Sequence, residues 1–341
     1  MNQSDDIEER KSSHLDLAFS AQNNITDSRF YYEPMLSGHP DKSDIWDIKL
    51  GNKKMNYPIW ISSMTGGTSK AGGVNRILAQ SAKKFGLGMG LGSCRIILKD
   101  QTYFEDFNLR PILGDEVPFF ANLGIAQIEE LLANNEMGLI KRMIEKLDAD
   151  GLIIHVNPFQ EWLQPEGDKI KQAPIETIKQ LLNELNIPVI VKEVGQGFGK
   201  HSMMELLKLP LLAIDFAANG GTNFSKLELL RNPLKKDFFQ SLIPIGHTAE
   251  EMMHFLNESI TVLGKERKCN FAIISGGIKN FLDGYYLIQQ SAIPSVYGQG
   301  SQFLKFAQES QESLDNYVQY QIEGLLLSKA YLKLKKDKND G

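Results

Sequence analysis

From Tyr57 onward, short apolar runs alternate with longer amphipathic segments. The apolar runs, rich in Val, Ile, Leu and Phe, have the length and composition of buried strands, and the longer segments have the periodicity of helices. Strands that alternate with helices pair in parallel, because each helix returns the chain across the sheet. The predicted strands are Pro58–Ser62, Gly86–Met89, Pro118–Asn122, Leu152–His155, Pro188–Glu193, Leu211–Phe216, Phe271–Ser275 and Ser295–Tyr297.

Helices are predicted between these strands, at Val74–Phe85, Ile125–Leu147, Pro174–Leu185, His201–Leu207, Ala249–Leu256 and Leu282–Gln290. Eight strands of this kind are the number that closes an α/β barrel of the TIM (β/α)8 type. An open, doubly wound sheet is the alternative fold. Its dinucleotide-binding form opens on G-x-G-x-x-G, whereas the glycines in Gly86–Gly92 alternate with other residues, which favours the barrel.

The chain extends beyond the predicted barrel at both ends. Residues 1–57 are polar, with an amphipathic start near Arg10–Leu17, and Gln302–Lys335 has a helical pattern before a charged tail. The sequence contains no internal repeat or low-complexity block. We therefore expect residues 1–341 to form one barrel domain, with residues 1–57 as an N-terminal extension and a helix at the C-terminus.

The composition narrows the possible partners and compartment. A formal net charge of -5 at pH 7 disfavours nucleic acid, which requires a basic surface, so an anionic ligand needs local cations. No apolar run approaches the roughly 20 residues that span a bilayer, and the N-terminus lacks the apolar core of a signal peptide. Cys94 and Cys269 are too far apart in sequence to suggest a disulfide framework or a zinc site. We expect a cytoplasmic protein with neither a membrane nor a nucleic-acid partner.

A cluster of polar residues follows the fourth predicted strand. His155 ends that strand, and Asn157, Gln160 and Glu161 come directly after it. The C-terminal ends of barrel strands face one shared pocket, where ligands bind. The cluster therefore predicts a ligand site, although a polar loop with capping residues is the alternative reading.

Glycine-rich turns follow several other strands. They occur at Ser62–Thr68, Asn219–Thr222, Ser275–Gly277 and Gly298–Ser301. Paired glycines allow the backbone to approach a flat ligand, and turns after the last two barrel strands commonly hold a phosphate on backbone N–H groups. These turns favour a phosphate-bearing ligand.

Lys192 lies in the otherwise apolar run Val189–Glu193. A buried Lys needs an anionic partner. An electron-rich cofactor ring is one such partner, and the adjacent Glu193 is the structural alternative.

Short motifs with chemical groups extend from Arg10 to about Lys305. They are Arg10-Lys11-x-x-His14-Leu15, Met64-Thr65-Gly66-Gly67, Gly92-Ser93-x-Arg95, Asn122-Leu123-Gly124, His155-x-Asn157-Pro158-x-Gln160-Glu161, Gln164-Pro165-Glu166-Gly167, Val191-Lys192-Glu193-Val194-Gly195, Gly220-Gly221-Thr222 and Ser275-Gly276-Gly277. With them the chain resembles the flavin-dependent, type 2 isopentenyl-diphosphate isomerases. The Asn-Pro-x-Gln-Glu block, its Gln-Pro-Glu-Gly continuation and the Arg-Lys pair are the specific parts. The glycine turns and the strand-end Lys are shared more widely by FMN-binding barrels.

This resemblance implies an enzyme of isoprenoid biosynthesis that interconverts isopentenyl and dimethylallyl diphosphate. It implies reduced FMN as the working cofactor, NADPH or another reductant to reach that form, and Mg²⁺ to hold the diphosphate. It also implies a homo-oligomer, either a tetramer or an octamer.

The resemblance also assigns roles to individual residues. His155, Asn157 and Gln160 are the catalytic candidates, and Glu161 is the Mg²⁺ ligand. The substrate contacts are Arg10, Lys11, His14, Ser93, Arg95 and Gln160. The FMN contacts are Ser63, Met64, Thr65, Gly66, Ser93, Asn122, Lys192, Thr222, Gly276, Gly277, Gly300 and Ser301. A core or capping role is the alternative for His14, and a buried structural role is the alternative for His155.

Some positions depart from the family pattern. Cys94 stands where Gln is usual, Ala217 where Ser is frequent, Lys279 where Arg is common, and Ser301 where a larger or basic residue is frequent. Ala217, Lys279 and Ser301 put the exact contacts to the FMN phosphate in doubt and leave the reaction unchanged.

Two other functions compete with this interpretation. An FMN-dependent 2-hydroxyacid oxidase or dehydrogenase has the same barrel and strand-end Lys, but it carries Asn-His-Gly-Gly-Arg after the sixth strand. This chain has Ala218-Asn219-Gly220-Gly221-Thr222 and so lacks the base and the carboxylate-binding Arg. A non-catalytic flavin- or phosphate-binding barrel is the second alternative, and the presence of Gln160 and Glu161 argues against it.

Overall fold

A computed structural model describes residues 3–62 and 69–335 of the chain. The chain divides into two compact units, Gly38–Ala330 and a smaller one made of Met1–Ser37 with Tyr331–Gly341. The smaller unit contains a helix, Gln3–Leu17, and an antiparallel pair of strands, Phe30–Tyr32 and Leu332–Leu334. The expectation of a single domain stays a prediction.

The larger unit is a closed barrel of eight parallel strands, which confirms the predicted TIM-barrel fold. The strands are β1 (Ile59–Ile61), β2 (Gly88–Gly90), β3 (Phe119–Gly124), β4 (Gly151–His155), β5 (Val189–Lys192), β6 (Ala213–Asp215), β7 (Ala272–Ser275) and β8 (Ser295–Gln299). Each strand pairs with the next in sequence, and β8 pairs with β1. All eight predicted strands are present, with no end shifted by more than two residues.

Helices follow the strands around the outside of the barrel, as expected for crossover connections. Their bounds are Ser69–Phe85, Arg110–Leu113, Ile125–Ala133, Gly138–Leu147, Pro158–Leu163, Pro174–Glu184, Lys200–Leu207, Phe224–Arg231, Pro233–Phe239, Ala249–Leu263, Phe281–Gln290, Ser301–Glu309 and Gln311–Tyr331. No helix within residues 3–62 and 69–335 is long and apolar enough to cross a bilayer.

The predicted helix Ile125–Leu147 is wrong as a single element, because the chain breaks it into two. The break follows Ala133, and Asn135 adopts a left-handed conformation with φ of 56°. Asn tolerates this conformation better than most residues, so it can end one helix before the next begins. The predicted C-terminal helix Gln302–Lys335 is similarly divided at Ser310, and its last residues form the strand Leu332–Leu334 instead.

The barrel interior is apolar toward the N-terminal ends of the strands. Trp60, Phe120, Ile153, Ile190, Ala213, Ile273 and Val296 belong to one buried cluster. Leu50 and Met55, from the hairpin strands Ile48–Leu50 and Lys53–Met55, join the same cluster. This packed layer supports the functional end of the barrel from below.

Candidate functional site

A layer of mostly polar residues lies directly above the apolar interior. Side chains two positions apart on a strand point to the same face, so each strand of this cluster presents its next inward position at the C-terminal end of the barrel. Those positions are Ser62, Asn122, His155, Lys192, Asp215, Ser275 and Gly298. The change from apolar to polar within one pleat therefore marks the functional end of the barrel.

His155 and Asn122 form a hydrogen-bonded pair in this layer. Asn122 Nδ2 donates to the Leu91 carbonyl at 2.9 Å, which turns Asn122 Oδ1 toward His155 Nδ1 at 2.8 Å. An amide oxygen only accepts hydrogen bonds, so Nδ1 must carry the proton. Burial, with a smaller contribution from the Lys192 cation, lowers the pKa of His155 to about 3. His155 is therefore neutral, with the lone pair on Nε2.

Lys192 is buried at the end of β5, beside His155 on one side and Asp215 on the other in the sheet register. Its ammonium donates to the Glu193 carbonyl at 2.8 Å. The Glu193 carboxylate instead accepts the backbone N–H groups of Gln196 and Gly197, at 2.5 and 2.8 Å. Glu193 was the alternative to a cofactor ring as the partner of Lys192. It contacts the Lys192 ammonium through its backbone carbonyl, and its carboxylate is used by the two N–H groups instead.

A cavity opens above Lys192, lined mostly by the glycine turns. Its lining residues include Lys192, Gly220, Gly221, Thr222, Ser275, Gly276, Gly277, Lys279, Gly300 and Ser301. Of the predicted FMN contacts, Lys192, Thr222, Gly276, Gly277, Gly300 and Ser301 thus come together around one space. The helix Ser301–Glu309 begins at this cavity, so its first backbone N–H groups favour an anion there.

The glycine at position 276 is required by the geometry of the cavity wall. Gly276 has φ of 90°, and a Cβ there would lie 2.1 Å from the Ala218 carbonyl oxygen. Gly277 also has a positive φ, of 74°, and faces Gly220 of the opposite turn. The two turns therefore approach each other backbone to backbone, which is how a flat or phosphate-bearing ligand is held by N–H groups.

The helix Pro158–Leu163 brings Asn157, Gln160 and Glu161 together after β4. Asn157 Nδ2 lies 3.0 Å from both Gln160 Oε1 and Glu161 Oε1. The other carboxylate oxygen of Glu161, Oε2, accepts the backbone N–H of Asp168 at 2.8 Å. These bonds fix the Glu161 side chain, which is 8 % exposed, so the carboxylate is pre-oriented.

Glu228 is a site residue that the sequence did not reveal. It lies on the helix Phe224–Arg231 and is buried, with one oxygen 3.4 Å from Gln160 Nε2 and the other 2.6 Å from Arg231. The structure thus ties the Gln160 side chain to a carboxylate 68 residues away in sequence. The sequence offers no signal for Glu228, because both its burial and its contact with Gln160 exist only in three dimensions.

Within the described residues, no group of three His, Cys, Asp or Glu side chains could hold a metal ion. Mg²⁺, however, can bind through one carboxylate, with water and ligand oxygens completing its coordination. Glu161 can supply that carboxylate. Asn157 Oδ1 is buried and has no hydrogen-bond partner among the described residues, so a further hard oxygen is free beside it. The donor set fits an ion shared with a phosphate-bearing ligand.

Arg95 is connected to the helix Pro158–Leu163 by its ion pair with Asp168. The guanidinium is half exposed and lies 2.6 Å from the Asp168 carboxylate, which also accepts Gln127 Nε2 at 2.8 Å. Because Asp168 in turn donates its backbone N–H to Glu161, Arg95 is linked to the Glu161 carboxylate through one residue. Ser93 is exposed beside Arg95.

The structure does not test the remaining predicted contacts. Ser63, Met64, Thr65 and Gly66 fall outside the described residues. Arg10, Lys11 and His14 lie on the helix Gln3–Leu17 of the smaller unit and are exposed, which does not support a core role for His14 within that unit. Their assignment to the substrate stays a prediction.

The sequence is similar to those of known proteins along most of its length. No protein-family model matches the chain. It is 35 % identical over 335 residues to the isopentenyl-diphosphate delta-isomerase of Rickettsia felis, covering 96 % of this chain and 93 % of that protein. The isomerase of Rickettsia akari is 37 % identical over 279 residues, which cover 81 % and 78 % of the two chains.

Among solved structures, a mandelate oxidase variant with an FMN monooxide adduct matches with a TM-score of 0.57 at 13 % identity, covering 90 % of this chain and 88 % of that chain. At this low identity the match supports the barrel fold alone. The Rickettsia relatives are similar along almost the whole chain. On that similarity, this chain belongs to the isopentenyl-diphosphate delta-isomerase family.

Proposed function

We propose that this protein interconverts isopentenyl diphosphate and dimethylallyl diphosphate, using reduced FMN and Mg²⁺, and so serves isoprenoid biosynthesis. NADPH is the proposed reductant. The observation that carries the proposal is the arrangement at the end of the barrel. The fixed polar group of Asn157, Gln160 and Glu161 follows β4, and the glycine-lined cavity with Lys192 lies after β5 to β8.

The cavity has the chemistry that FMN requires. Glycine turns and the first turn of the helix Ser301–Glu309 offer backbone N–H groups to a phosphate, and Lys192 offers a buried cation to an electron-rich ring. Ser62 Oγ is buried at the cavity wall, with no hydrogen-bond partner within residues 3–62 and 69–335. When bound, reduced FMN would supply the proton transfer, in which one proton is added to the alkene and another is removed.

The residues after β4 would hold the substrate rather than carry out acid–base chemistry. His155 is neutral and offers Nε2 as a hydrogen-bond acceptor, so it does not provide a proton at neutral pH. The Gln160 amide is oriented by Asn157 and Glu228, which positions it without a change of charge. The side chains that orient the alkene are thus neutral, which matches a reaction in which the cofactor supplies the proton transfer.

Glu161 would bind the Mg²⁺ ion that carries the diphosphate. Its carboxylate is already fixed by Asn157 and Asp168, so little ordering is needed when the ion binds. Arg95 would add a cation for the diphosphate. For Arg10, Lys11 and His14, a substrate contact is proposed from the family resemblance alone. The diphosphate supplies binding energy that positions the small alkene.

FMN-dependent oxidation of a hydroxyacid is the second candidate, because enzymes with that function share the barrel and the Lys at the end of the fifth strand. That chemistry needs a base and a cation beside the sixth strand. The turn after β6 instead contains Asn219 and Thr222, and Gly220 faces Gly277 across the cavity. The side chains of this turn therefore argue against oxidation of a hydroxyacid.

We also propose that the protein is a cytoplasmic homo-oligomer, a tetramer or an octamer. Exposed apolar side chains on adjacent helices, Leu230 at 62 %, Leu234 at 82 % and Phe238 at 82 % exposure, support an association surface. Sedimentation of the purified protein tests this, and a monomer at all concentrations would contradict it.

The central experiment is an absorbance spectrum of the purified protein followed by an anaerobic isomerase assay. We expect a yellow protein that is active only after reduction, requires Mg²⁺, and consumes no net reductant per turnover. Stoichiometric consumption of an oxidant with a hydroxyacid would instead identify an oxidase. A protein that stays colourless with added FMN would exclude both the isomerase and the oxidase function.

A further inference from the structure

Asp215 lies beneath the glycine-lined cavity and is completely buried. It is the last residue of β6, next to Lys192 of β5 in the sheet register. Lys192 and Ser275 line the cavity, whereas Asp215 does not. The carboxyl is therefore shielded from the ligand and can act on it only through its neighbours.

The two oxygens of Asp215 have different surroundings. Oδ1 accepts the hydroxyl of Ser275, and the Ser275 oxygen accepts the backbone N–H of Ala217 at 2.9 Å. Oδ2 is buried without a hydrogen-bond partner in the described part of the chain. An ionised carboxylate removed from water needs donors at both oxygens, and Oδ2 has none; a proton on Oδ2 removes the uncompensated charge. Oδ2 is therefore the free position for a proton.

The charges around Asp215 are few. Lys192 from β5 is the cation that acts on it, and His155, on the far side of Lys192, is neutral. Ser275 from β7 contributes a hydroxyl only. Burial raises the pKa of Asp215, while Lys192, Ser275 and the Ala217 N–H oppose that rise. With Asp215 ionised, its charge and that of Lys192 cancel, so an added negative charge above Lys192 would be uncompensated.

We propose that Asp215 is a positioning residue that takes up a proton on Oδ2 when a negative charge forms in the cavity above Lys192. When the cavity holds no negative charge, Asp215 is ionised and acts as the counter-ion of Lys192. The proposal rests on FMN as the cavity ligand. On reduction by NADPH, a hydride would carry two electrons and one proton to the ring; with dithionite, the two electrons come from the reductant and that proton from water. In both cases a second proton, from water, goes to Asp215. The protein thereby keeps the floor of the cavity neutral in both redox states.

The test is the reduction of bound FMN by dithionite, followed spectrophotometrically against a reference dye at several pH values. The slope of the midpoint potential with pH gives the number of protons taken up. We expect the wild-type protein to take up two protons per two electrons and Asp215→Asn to take up one. An equal number in both proteins would overturn the proposal.

Infrared difference spectra between the reduced and oxidised states locate the second proton. We expect a carboxylic acid carbonyl band to appear on reduction of the wild-type protein and to be absent in Asp215→Asn. Ser275→Ala keeps the carboxyl but removes the donor to Oδ1, so it should keep the second proton and shift the band. If Asp215→Asn does not fold, the shift caused by Ser275→Ala identifies the band as that of Asp215. The proposal would be overturned by a wild-type protein that shows no such band on reduction. It would also be overturned by a band that Ser275→Ala does not move.

These measurements separate the inference from the proposed function. A protein that binds and reduces FMN with the expected proton uptake but does not isomerise its substrate contradicts the proposed function alone. An active isomerase whose proton uptake is unaffected by Asp215→Asn contradicts the inference alone. Failure to bind FMN would contradict both.

Discussion

His155 Nδ1 lies 2.8 Å from Asn122 Oδ1, and this contact fixes which ring nitrogen carries the proton. The amide of Asn122 is itself held by the Leu91 carbonyl, so the pair cannot rearrange without losing a buried hydrogen bond. His155 is consequently held as a neutral acceptor at the end of β4. The same arrangement has a measurable effect on stability.

We expect His155 to destabilise the protein as the pH falls. The pKa of His155 is about 3 in the folded chain and about 6.5 in the unfolded chain. Between these values the unfolded state binds more protons, so the free energy of unfolding falls with decreasing pH by up to about 1.4 kcal/mol per unit. Urea unfolding of wild-type and His155→Gln proteins at neutral and mildly acidic pH measures this. Equal pH dependence of the two proteins would show that His155 titrates normally.

The alternation of strands and helices was enough to predict the barrel, because parallel pairing follows from the order of elements along the chain. The same alternation placed His155 and Lys192 at strand ends, where inward positions meet. The break at Asn135 was not predicted, because apolar periodicity continues on both sides of it and only the left-handed backbone shows the interruption.

The tertiary contacts of the site could not be predicted from the sequence. Glu228 reaches Gln160, and Asp168 pairs with Arg95, across 68 and 73 residues respectively. No local pattern encodes such contacts. Asp215 lies within the predicted apolar strand Leu211–Phe216, where the sequence gives it no special role. Its position beside Lys192 depends on the register between β5 and β6.

We expect Glu161→Gln to abolish Mg²⁺-dependent turnover while FMN stays bound. The substitution removes the negative charge and also places an amide NH₂ against one of two N–H donors, from Asn157 or Asp168. Turnover at increasing Mg²⁺ concentration, with the flavin absorbance as the binding readout, measures the effect. Glu166→Gln is the matched control, because Glu166 is exposed on the same loop and pairs with Arg231. Unchanged activity of Glu161→Gln would place the metal elsewhere.

Gln160 and Glu228 are expected to act as one unit. Gln160→Ala should lower kcat strongly without unfolding the protein, and Glu228→Ala should lower kcat by about tenfold, equivalent to about 1.4 kcal/mol, because Gln160 loses its partner. The double variant should then be little worse than Gln160→Ala. Values of kcat and KM for the three variants, with thermal unfolding as a folding check, test this. Additive losses would mean that Glu228 acts independently of Gln160.

Gly276→Ala should prevent FMN binding, because a Cβ at this position would lie 2.1 Å from the Ala218 carbonyl oxygen and 2.3 Å from the Ala218 nitrogen. The positive φ of 90° adds strain, and together these effects should destabilise the protein by roughly 1–3 kcal/mol or more.

Gly73→Ala is the control, since Gly73 lies within the helix Ser69–Phe85 and a Cβ there meets no atom within 4 Å. That variant should be as stable as the wild-type protein or up to about 1 kcal/mol more stable. FMN titration monitored by fluorescence, with urea unfolding of both variants, provides the measurement. Normal FMN affinity in Gly276→Ala would show that the turns after β6 and β7 do not form the cofactor site.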